Sequence, residues 1–248
     1  MHRYPMIVVR WPVTRPDVNI STFGMFVALS ILSVSPLACS AAASADCGVL
    51  APYDGGPWDY RNQQEKLSTV ERFHFTPNVE LLIRGQSGTN IAQDLDFVLN
   101  HFPNHHRALA SLARLAERQK TTQPPGAEYS VECRFIRALR FRPDDVIVQM
   151  LFASYLWQLG RQSEALRQLE QAKLAAPHDP FTQYNVGMLL LQFKHYDEAL
   201  AQAHLAWQMG FTRTELRDRL KAEGKWVAPV PAPSDAASQP DPGASQPQ

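Results

Sequence analysis

The sequence predicts an all-α protein built as an array of antiparallel helical hairpins, and three observations support this prediction. Pro143 and Pro177 are separated by about 34 residues, and the stretch before each proline has the pattern of the same pair of helices. Small residues recur in these stretches where two helices must approach closely, and a charged helix with a narrow apolar stripe follows the last unit. The interval between the two prolines, which we call the repeat period, indicates a repeat protein in which each hairpin buries its apolar side against its neighbours.

The segment from residue 106 to residue 210 resembles tetratricopeptide (TPR) repeats. That family has a small residue within the first helix, an aromatic residue near the turn, alanines in the second helix and a closing proline. The matching residues in the last two units are Gly160, Ala165, Ala172, Pro177, Gly187, Tyr196, Ala199 and Ala206. The sequence departs from the pattern at Gln149 and Gln183, where the family often has Trp, and at Phe211, where the closing proline is missing. The resemblance implies a TPR-like solenoid of about three repeats; the alternative is a non-repetitive helical bundle.

The unit upstream of these two repeats is longer. Apolar residues between positions 91 and 102 predict a helix that Pro103 ends, and Asn104 is the predicted N-cap of the next helix, 105–118. Two prolines and a glycine then forbid helix within 120–127. The additional residues are therefore expected in the loop between two helices, where a repeat tolerates an insertion.

The residues before the array are expected to cover its first helices. Residues 46–75 do not fit the repeat, are dense in aromatic side chains, and are predicted to form an irregular cap with a short helical run at 67–75. Pro77 predicts the start of a further helix that continues to Arg84. We therefore expect the TPR-like repeat domain to extend over residues 76–226.

The C-terminal end of the array has its own signals. Residues 212–215, Thr-Arg-Thr-Glu, have the pattern of a capping box and predict a helix over 213–223. Leu216 and Leu220 form its only apolar stripe, so this helix is expected to cap the last hairpin and shield it from water. Residues 227–248 are rich in Pro, Ala, Ser and Gln and are predicted to be a disordered tail.

The N-terminal residues 1–45 have the pattern of a signal peptide. Three arginines precede an apolar run at 23–37, and Ala43-Ser44-Ala45 provides a small-x-small cleavage site. The run is too short to span a bilayer, so no transmembrane span is expected after processing. We predict export, with a periplasmic or secreted protein as the product. The alternative is a lipid-anchored envelope protein attached through Cys39, although Pro36 stands where a lipobox usually has an aliphatic residue.

Removal of the predicted signal peptide leaves two cysteines, Cys47 and Cys133. An even number of cysteines in an exported chain suggests a disulfide bond. This bond would connect the N-terminal segment to the second helix of the long repeat. The alternative is that Cys133 is a free thiol buried on a helix face.

Charge and motifs exclude several classes of function. Residues 1–45 contain three arginines and one aspartate, so of 24 basic and 24 acidic residues 21 and 23 remain, a net charge of −2. This balance argues against a nucleic-acid partner. The group His101, His105 and His106 is divided by a proline and lacks the ligand spacing of zinc sites, and the Asp94 and Asp96 carboxylates are expected on a solvated helix face. We therefore predict no catalytic residue, no metal and no cofactor.

The TPR resemblance implies that a protein or peptide partner binds in a concave groove lined by the first helix of each unit. Helical spacing places an Arg-rich end and an aromatic, Met-rich end along that groove. The candidate groove residues are Arg107, Arg114, Met150, Trp157, Phe181, Tyr184, Asn185 and Met188. The predicted function is protein–protein interaction in the cell envelope. The alternatives are a structural subunit of an envelope assembly and a periplasmic metal-binding or hydrolytic protein.

Overall fold

A computed structural model describes residues 47–52, 56–86 and 90–229 of the 248-residue chain. Within these ranges every regular element is an α-helix, which confirms the all-α fold class. The helices are α1 (Gln64–His74), α2 (Pro77–Glu80), α3 (Ile91–His101), α4 (His106–Gln119), α5 (Val131–Phe141), α6 (Val146–Gln158), α7 (Gln162–Ala175), α8 (Pro180–Gln192), α9 (Tyr196–Gln208) and α10 (Glu215–Ala222). In the part of the chain that the structure describes, no helix is long and apolar enough to cross a membrane. The predicted signal peptide, Cys39 and residues 230–248 of the predicted tail lie outside the described residues.

Two helical hairpins, α6–α7 and α8–α9, repeat at the spacing that the sequence predicts. Their first helices begin at Val146 and Pro180, and their second helices begin at Gln162 and Tyr196, so both starts are shifted by one repeat period. α6 packs on α7 and α8 packs on α9, and α6 also contacts α4 and α8. Each of these two hairpins therefore packs within itself, and the first helices of the two hairpins also contact each other.

The turns inside the two hairpins are also equivalent. Gly160 and Lys194, again one repeat period apart, both have a left-handed backbone, with φ of +75° and +63°. The next backbone N–H in each turn donates to a carbonyl of the preceding helix, from Arg161 to Leu156 at 3.0 Å and from His195 to Leu190 at 2.9 Å. This is the usual way of ending a helix on a left-handed residue. The prediction that Gly160 allows close helix packing was therefore wrong, because a side chain there would meet no atom within 4 Å.

Close approach does occur at Gly187 on α8. A Cβ atom at this position would lie 2.6 Å from Leu216 Cδ2 and 3.1 Å from Gln202 Cβ. α10 therefore packs against α8 at the residue with no side chain, and the apolar stripe of α10, Leu216 and Leu220, is buried. The alanines of the repeat pattern on α7 and α9 are buried as expected, namely Ala165, Ala172, Ala199, Ala203 and Ala206.

The start of α10 differs from the prediction. Its N-cap is Thr214, whose side chain forms no capping hydrogen bond, and Glu215 pairs with Arg219 at 2.9 Å instead of reaching back. The preceding Phe211 packs on Tyr184, with ring centroids 4.6 Å apart. The helix therefore begins two residues later than predicted, and the capping box does not form.

The disulfide between Cys47 and Cys133 is present, as the sequence predicts, with the two Cα atoms 5.0 Å apart. It attaches residues 47–52 to α5. The Arg137 guanidinium, also on α5, donates to the backbone oxygen of Cys47 at 2.8 Å and to that of Val49 at 3.1 Å. The segment before α1 is therefore fixed by one covalent bond and by charge-assisted hydrogen bonds.

The region before α3 contains more helix than expected at one point and less at another. The helical run predicted at 67–75 begins earlier, at Gln64. The helix predicted from Pro77 to Arg84 ends at Glu80, because Leu82 has a left-handed backbone with φ of +59°. A branched side chain rarely adopts this conformation.

Three polar residues of α3 and its following turn lie in the interior, contrary to the sequence prediction of a solvated face and an N-cap. Asp94 contacts the His74 ring at 3.1 Å, and Asp96 accepts from the Arg134 Nε at 3.0 Å. Asn104 is fully buried, and the residue that caps α4 is instead His105. Each of these side chains has a partner on a distant segment, which local pattern does not reveal.

Candidate functional site

The Arg-rich end of the predicted groove is covered by the chain itself. The Arg107 guanidinium pairs with Glu80, with Nε–Oε1 at 2.8 Å, and with Glu71 at 3.2 Å. The hydrogen bond from Arg107 holds the pKa of Glu80 below its usual value. Arg114 donates to the Glu80 backbone oxygen at 3.0 Å and to Ser111 at 2.9 Å. These guanidinium groups hold α1 and α2 against α4, so we leave Arg107 and Arg114 out of the candidate site.

A buried polar cluster lies beside this contact. Asn104 Nδ2 donates to Asp59 at 2.8 Å and to Asp145 at 2.9 Å, and the Asp145 carboxylate also contacts His106 Nε2 at 2.9 Å. Arg61 and Arg142 pair with Asp59 at 2.8 and 2.6 Å. Although burial opposes it, hydrogen bonding from these arginines and from Asn104 leaves the pKa of Asp59 far below its usual range.

This cluster connects the N-terminal segment to the turns before α4 and α6, and its carboxylates already have protein partners. Within the described residues, no group of three or more His, Cys, Asp or Glu side chains has the arrangement of a metal site. His101, His105 and His106 are all buried. The cluster has the features of a structural anchor.

The other predicted groove residues differ in how far a partner can reach them. Met150, Tyr184 and Met188 are buried, whereas Trp157, Phe181 and Asn185 are half-buried. The indole ring of Trp157 stacks on Phe193 with ring centroids 4.0 Å apart, so α6 and the end of α8 share one aromatic surface. Asn185 Nδ2 donates to the Phe181 backbone oxygen at 2.7 Å, one turn back on the same helix. The accessible part of the predicted groove is therefore Trp157, Phe181 and Asn185.

A pocket that the sequence did not predict lies at the C-terminal end of the array. It has a volume of about 480 Å³ and is bounded by α9, α10 and the segment after α10. Its aromatic lining residues are Tyr184, Trp207, Phe211 and Trp226. Trp207 is 62% exposed at its rim, which is unusual for so large an apolar residue. The only sequence signal for this pocket was Trp207, an aromatic residue that directly follows Ala206, the last alanine of the repeat pattern on α9.

One wall of this pocket is the chain segment that follows α10. His204 Nε2, on α9, hydrogen-bonds to the Val227 backbone oxygen at 2.8 Å, and the Trp226 ring meets the His204 ring edge-on with centroids 5.1 Å apart. The ring partner of Trp226 therefore lies on α9. Residues 227–229, predicted as part of the disordered tail, are among the described residues and are held beside the pocket.

The charges around this pocket are positive. Arg213, Arg217 and Lys221 line it, and no acidic side chain lines it in the described part of the chain. Arg217 pairs with Asp218 at 3.2 Å, whereas Arg213 and Lys221 form no ion pair with any described residue. The floor carries the Tyr184 hydroxyl, which lies near the Leu216 backbone amide without a hydrogen bond of normal geometry. Burial raises the pKa of Tyr184, so this hydroxyl remains protonated and neutral.

Comparison with models of known protein families and with curated proteins finds no match to this chain. The geometry of the described residues leaves two surfaces as candidate binding sites. One is the first-helix surface, formed by Trp157, Phe181 and Asn185; the other is the C-terminal pocket, formed by α9, α10 and residues 225–229. Both combine aromatic side chains with polar groups, a composition typical of protein-binding surfaces.

Proposed function

We propose that this chain is an exported, TPR-like solenoid of about three repeats, closed by α10, that binds a protein or peptide partner in the cell envelope. The observation that carries the proposal is the repetition of the α6–α7 hairpin in α8–α9, with helix starts and left-handed turns both shifted by one repeat period. In arrays of this kind, the first helices of successive hairpins form a continuous binding surface.

The first-helix surface has the side chains that such binding requires. Trp157 lies on α6 and Phe181 lies on α8, so the two aromatic groups belong to the first helices of consecutive repeats. Aromatic side chains contribute most of the binding energy in many protein interfaces. The Asn185 side chain donates one hydrogen bond within its own helix, and its carbonyl oxygen can accept a hydrogen bond from a partner.

Export is supported by two independent features. Residues 1–45 have the sequence pattern of a signal peptide. The Cys47–Cys133 disulfide is stable in an oxidising compartment, and such bonds are rare in the reducing cytosol. We therefore place the interaction outside the cytoplasm, with the chain as a periplasmic, secreted or envelope-anchored protein.

Site-specific photo-crosslinking in intact cells tests this proposal. Benzoyl-phenylalanine is introduced at Trp157 or at Phe181, where it replaces an aromatic side chain of similar size. The matched control position is Leu174 on α7, which is 64% exposed and lies in the second helix of its hairpin. We expect the same crosslinked partner from positions 157 and 181, and no such product from position 174.

Two results would contradict the proposal. Equal crosslinking from all three positions would mean that the surface of the first helices is not selective, and absence of any product from 157 and 181 would remove the binding role. A product that co-purifies in fixed stoichiometry without crosslinking would instead support the alternative of a structural subunit.

A further inference from the structure

We infer that the C-terminal pocket binds an extended acidic peptide segment of the partner, in which an apolar side chain contacts Trp207 and two carboxylates pair with Arg213 and Lys221. This inference rests on the proposed function, because it assigns a partner chemistry to a protein-binding chain. It adds a second contact site that lies on α9 and α10, away from the first-helix surface.

The apolar part of the ligand follows from the walls of the pocket. Trp207 is 62% exposed to solvent, while Phe211, Trp226 and Ala203 complete an apolar lining. Covering an exposed Trp removes a large apolar area from water, and such side chains are frequent anchors of interfaces. The volume of about 480 Å³ lies within the range of roughly 300–1,000 Å³ that ligand pockets occupy.

The acidic part follows from charge. Arg213 and Lys221, which form no ion pair within the described residues, are joined at the pocket by Arg217. No acidic side chain among the described lining residues opposes their field. Complementary charge across an interface favours a partner of the opposite sign and raises the cost of one of the same sign. A cationic peptide is therefore disfavoured.

The spacing of the cations argues for an extended peptide instead of a small anion. Arg213 precedes α10 and Lys221 lies in its last turn, eight positions later. The six steps from Glu215 to Lys221 rise roughly 9 Å along the helix axis at about 1.5 Å per residue, and Arg213 lies two residues before that helix start. The two cations belong to opposite ends of α10, so a ligand with two separated carboxylates fits them better than a single anion. An extended peptide rises about 3.3 Å per residue, so carboxylates about four residues apart match the two cations.

The test is a direct titration of the purified full chain with a synthetic peptide. The probe is fluorescein-labelled Gly-Asp-Phe-Gly-Ser-Asp-Gly amide, which places two aspartates at that spacing around one aromatic side chain. The control probe has lysine in place of both aspartates. We expect a measurable change in fluorescence anisotropy with the acidic probe, at least about tenfold weaker binding of the lysine probe, and loss of affinity with added salt.

Two pairs of variants assign the binding to the pocket. The double variant R213E/K221E reverses the two exposed cations and is compared with R167E, which reverses an exposed cation on α7. Trp207→Ala is compared with Leu174→Ala, which removes a similarly exposed apolar side chain from α7. We expect each pocket variant to lose about tenfold or more in affinity for the acidic probe, and each control to stay within about twofold. Circular dichroism melting checks that all four variants remain folded.

Several outcomes would overturn the inference. Equal binding of the two probes would remove the acidic specificity, and unchanged binding by R213E/K221E would remove the site. Deletion of residues 230–248, which contain aspartates but no lysine or arginine, provides a further arm. A gain of about tenfold or more in probe affinity after this deletion would assign the pocket to the chain's own C-terminal residues. If the peptide titration shows no binding but positions 157 and 181 still crosslink to a partner, the inference about the pocket fails and the proposed function stands.

Discussion

At the start of α4, His105 caps the helix with its ring instead of with a hydroxyl or carboxylate group. Its Nδ1 accepts from the Ala108 backbone N–H at 3.1 Å, so this nitrogen carries no proton. Nε2 therefore carries the proton of the neutral ring and donates it to Glu71, 3.0 Å away. The ring is fully buried, and burial lowers its pKa. Protonation of Nδ1 would destroy the cap.

This arrangement predicts a loss of stability on acidification. In the unfolded chain His105 gains a proton as the pH falls through about 6.5, whereas in the folded chain the ring stays neutral until a lower pH. Because the folded pKa is depressed, the contribution to the unfolding free energy is complete above the unfolded pKa and decreases below it. One such group contributes a slope of at most about 1.4 kcal/mol per pH unit.

The variant His105→Asn isolates this contribution, because Asn is a good N-cap and does not titrate. Urea unfolding of both proteins between about pH 5 and pH 8 measures the slopes. The variant is expected to be less stable at every pH, since it loses the Glu71 contact, but its curve should be flatter below about pH 6.5. Parallel curves would show that His105 does not titrate with unfolding.

Among the helices, α10 depends most clearly on tertiary packing. It has eight residues and no side-chain capping bond, and isolated helices shorter than about 12–15 residues are marginal in water. Its two leucines, Leu216 and Leu220, are buried, and Leu216 fills the space that Gly187 leaves on α8. α10 is therefore stabilised by the last hairpin, and it covers that hairpin in return.

We predict that Leu220→Ala destabilises the C-terminal end in particular. The side chain is fully buried, and a Leu→Ala change of this kind costs about 2–5 kcal/mol. Hydrogen exchange should show lost amide protection in α10 and α8, with α4 and α6 close to wild type. The control Glu223→Ala changes an exposed residue at the end of α10 and should alter stability by no more than about 0.5 kcal/mol. Loss of protection spread evenly over all helices would mean that α10 is not a separate packing unit.

The elements that sequence predicts well are those whose signals are local and repeated. The starts of α6, α7, α8 and α9 follow from proline and alanine positions that recur after one repeat period, and the structure has the same spacing. Long-range packing determines the rest. Asp96 looks like a surface carboxylate until Arg134 is brought to it from 38 positions away. The capping box predicted at 212–215 does not form, and α10 begins at Glu215 instead.

The candidate site shows the same division. Trp157, Phe181 and Asn185 on the first helices were identified from helical spacing, and the structure leaves all three half-buried. The pairing of Arg107 with Glu71 and Glu80 was not predictable, because α1 and α2 lie outside the repeat pattern. The C-terminal pocket requires three separate segments to meet, so no single stretch of sequence indicates it.

Over the whole molecule, the N-terminal residues are attached to later helices at several distant points. The Cys47–Cys133 disulfide joins positions 86 residues apart. Asp59 is bound by Arg142 at 2.6 Å, immediately after α5, and Arg61 reaches Asp144 at 2.9 Å. These bonds all connect residues before α1 to α5 or to the turn after it. The first half of the chain is therefore closed into one large loop, whereas α6–α9 are held by contacts between sequence neighbours.

Removing the disulfide should therefore destabilise the N-terminal residues and α5 more than it destabilises α6–α9. Cross-linking a loop of 86 residues lowers the entropy of the unfolded chain by an amount worth about 4–5 kcal/mol at 25 °C. The double variant C47A/C133A loses this contribution without leaving an unpaired thiol, and wild-type protein treated with a reductant provides the matched control. Both should melt at lower temperature than the oxidised protein. Hydrogen exchange should show the loss of protection first in residues 47–52 and α5, with α6–α9 retaining theirs longer, because their packing is local. A uniform loss over α1–α10 would instead mean that the array unfolds as one cooperative unit, in which the N-terminal loop stabilises every repeat.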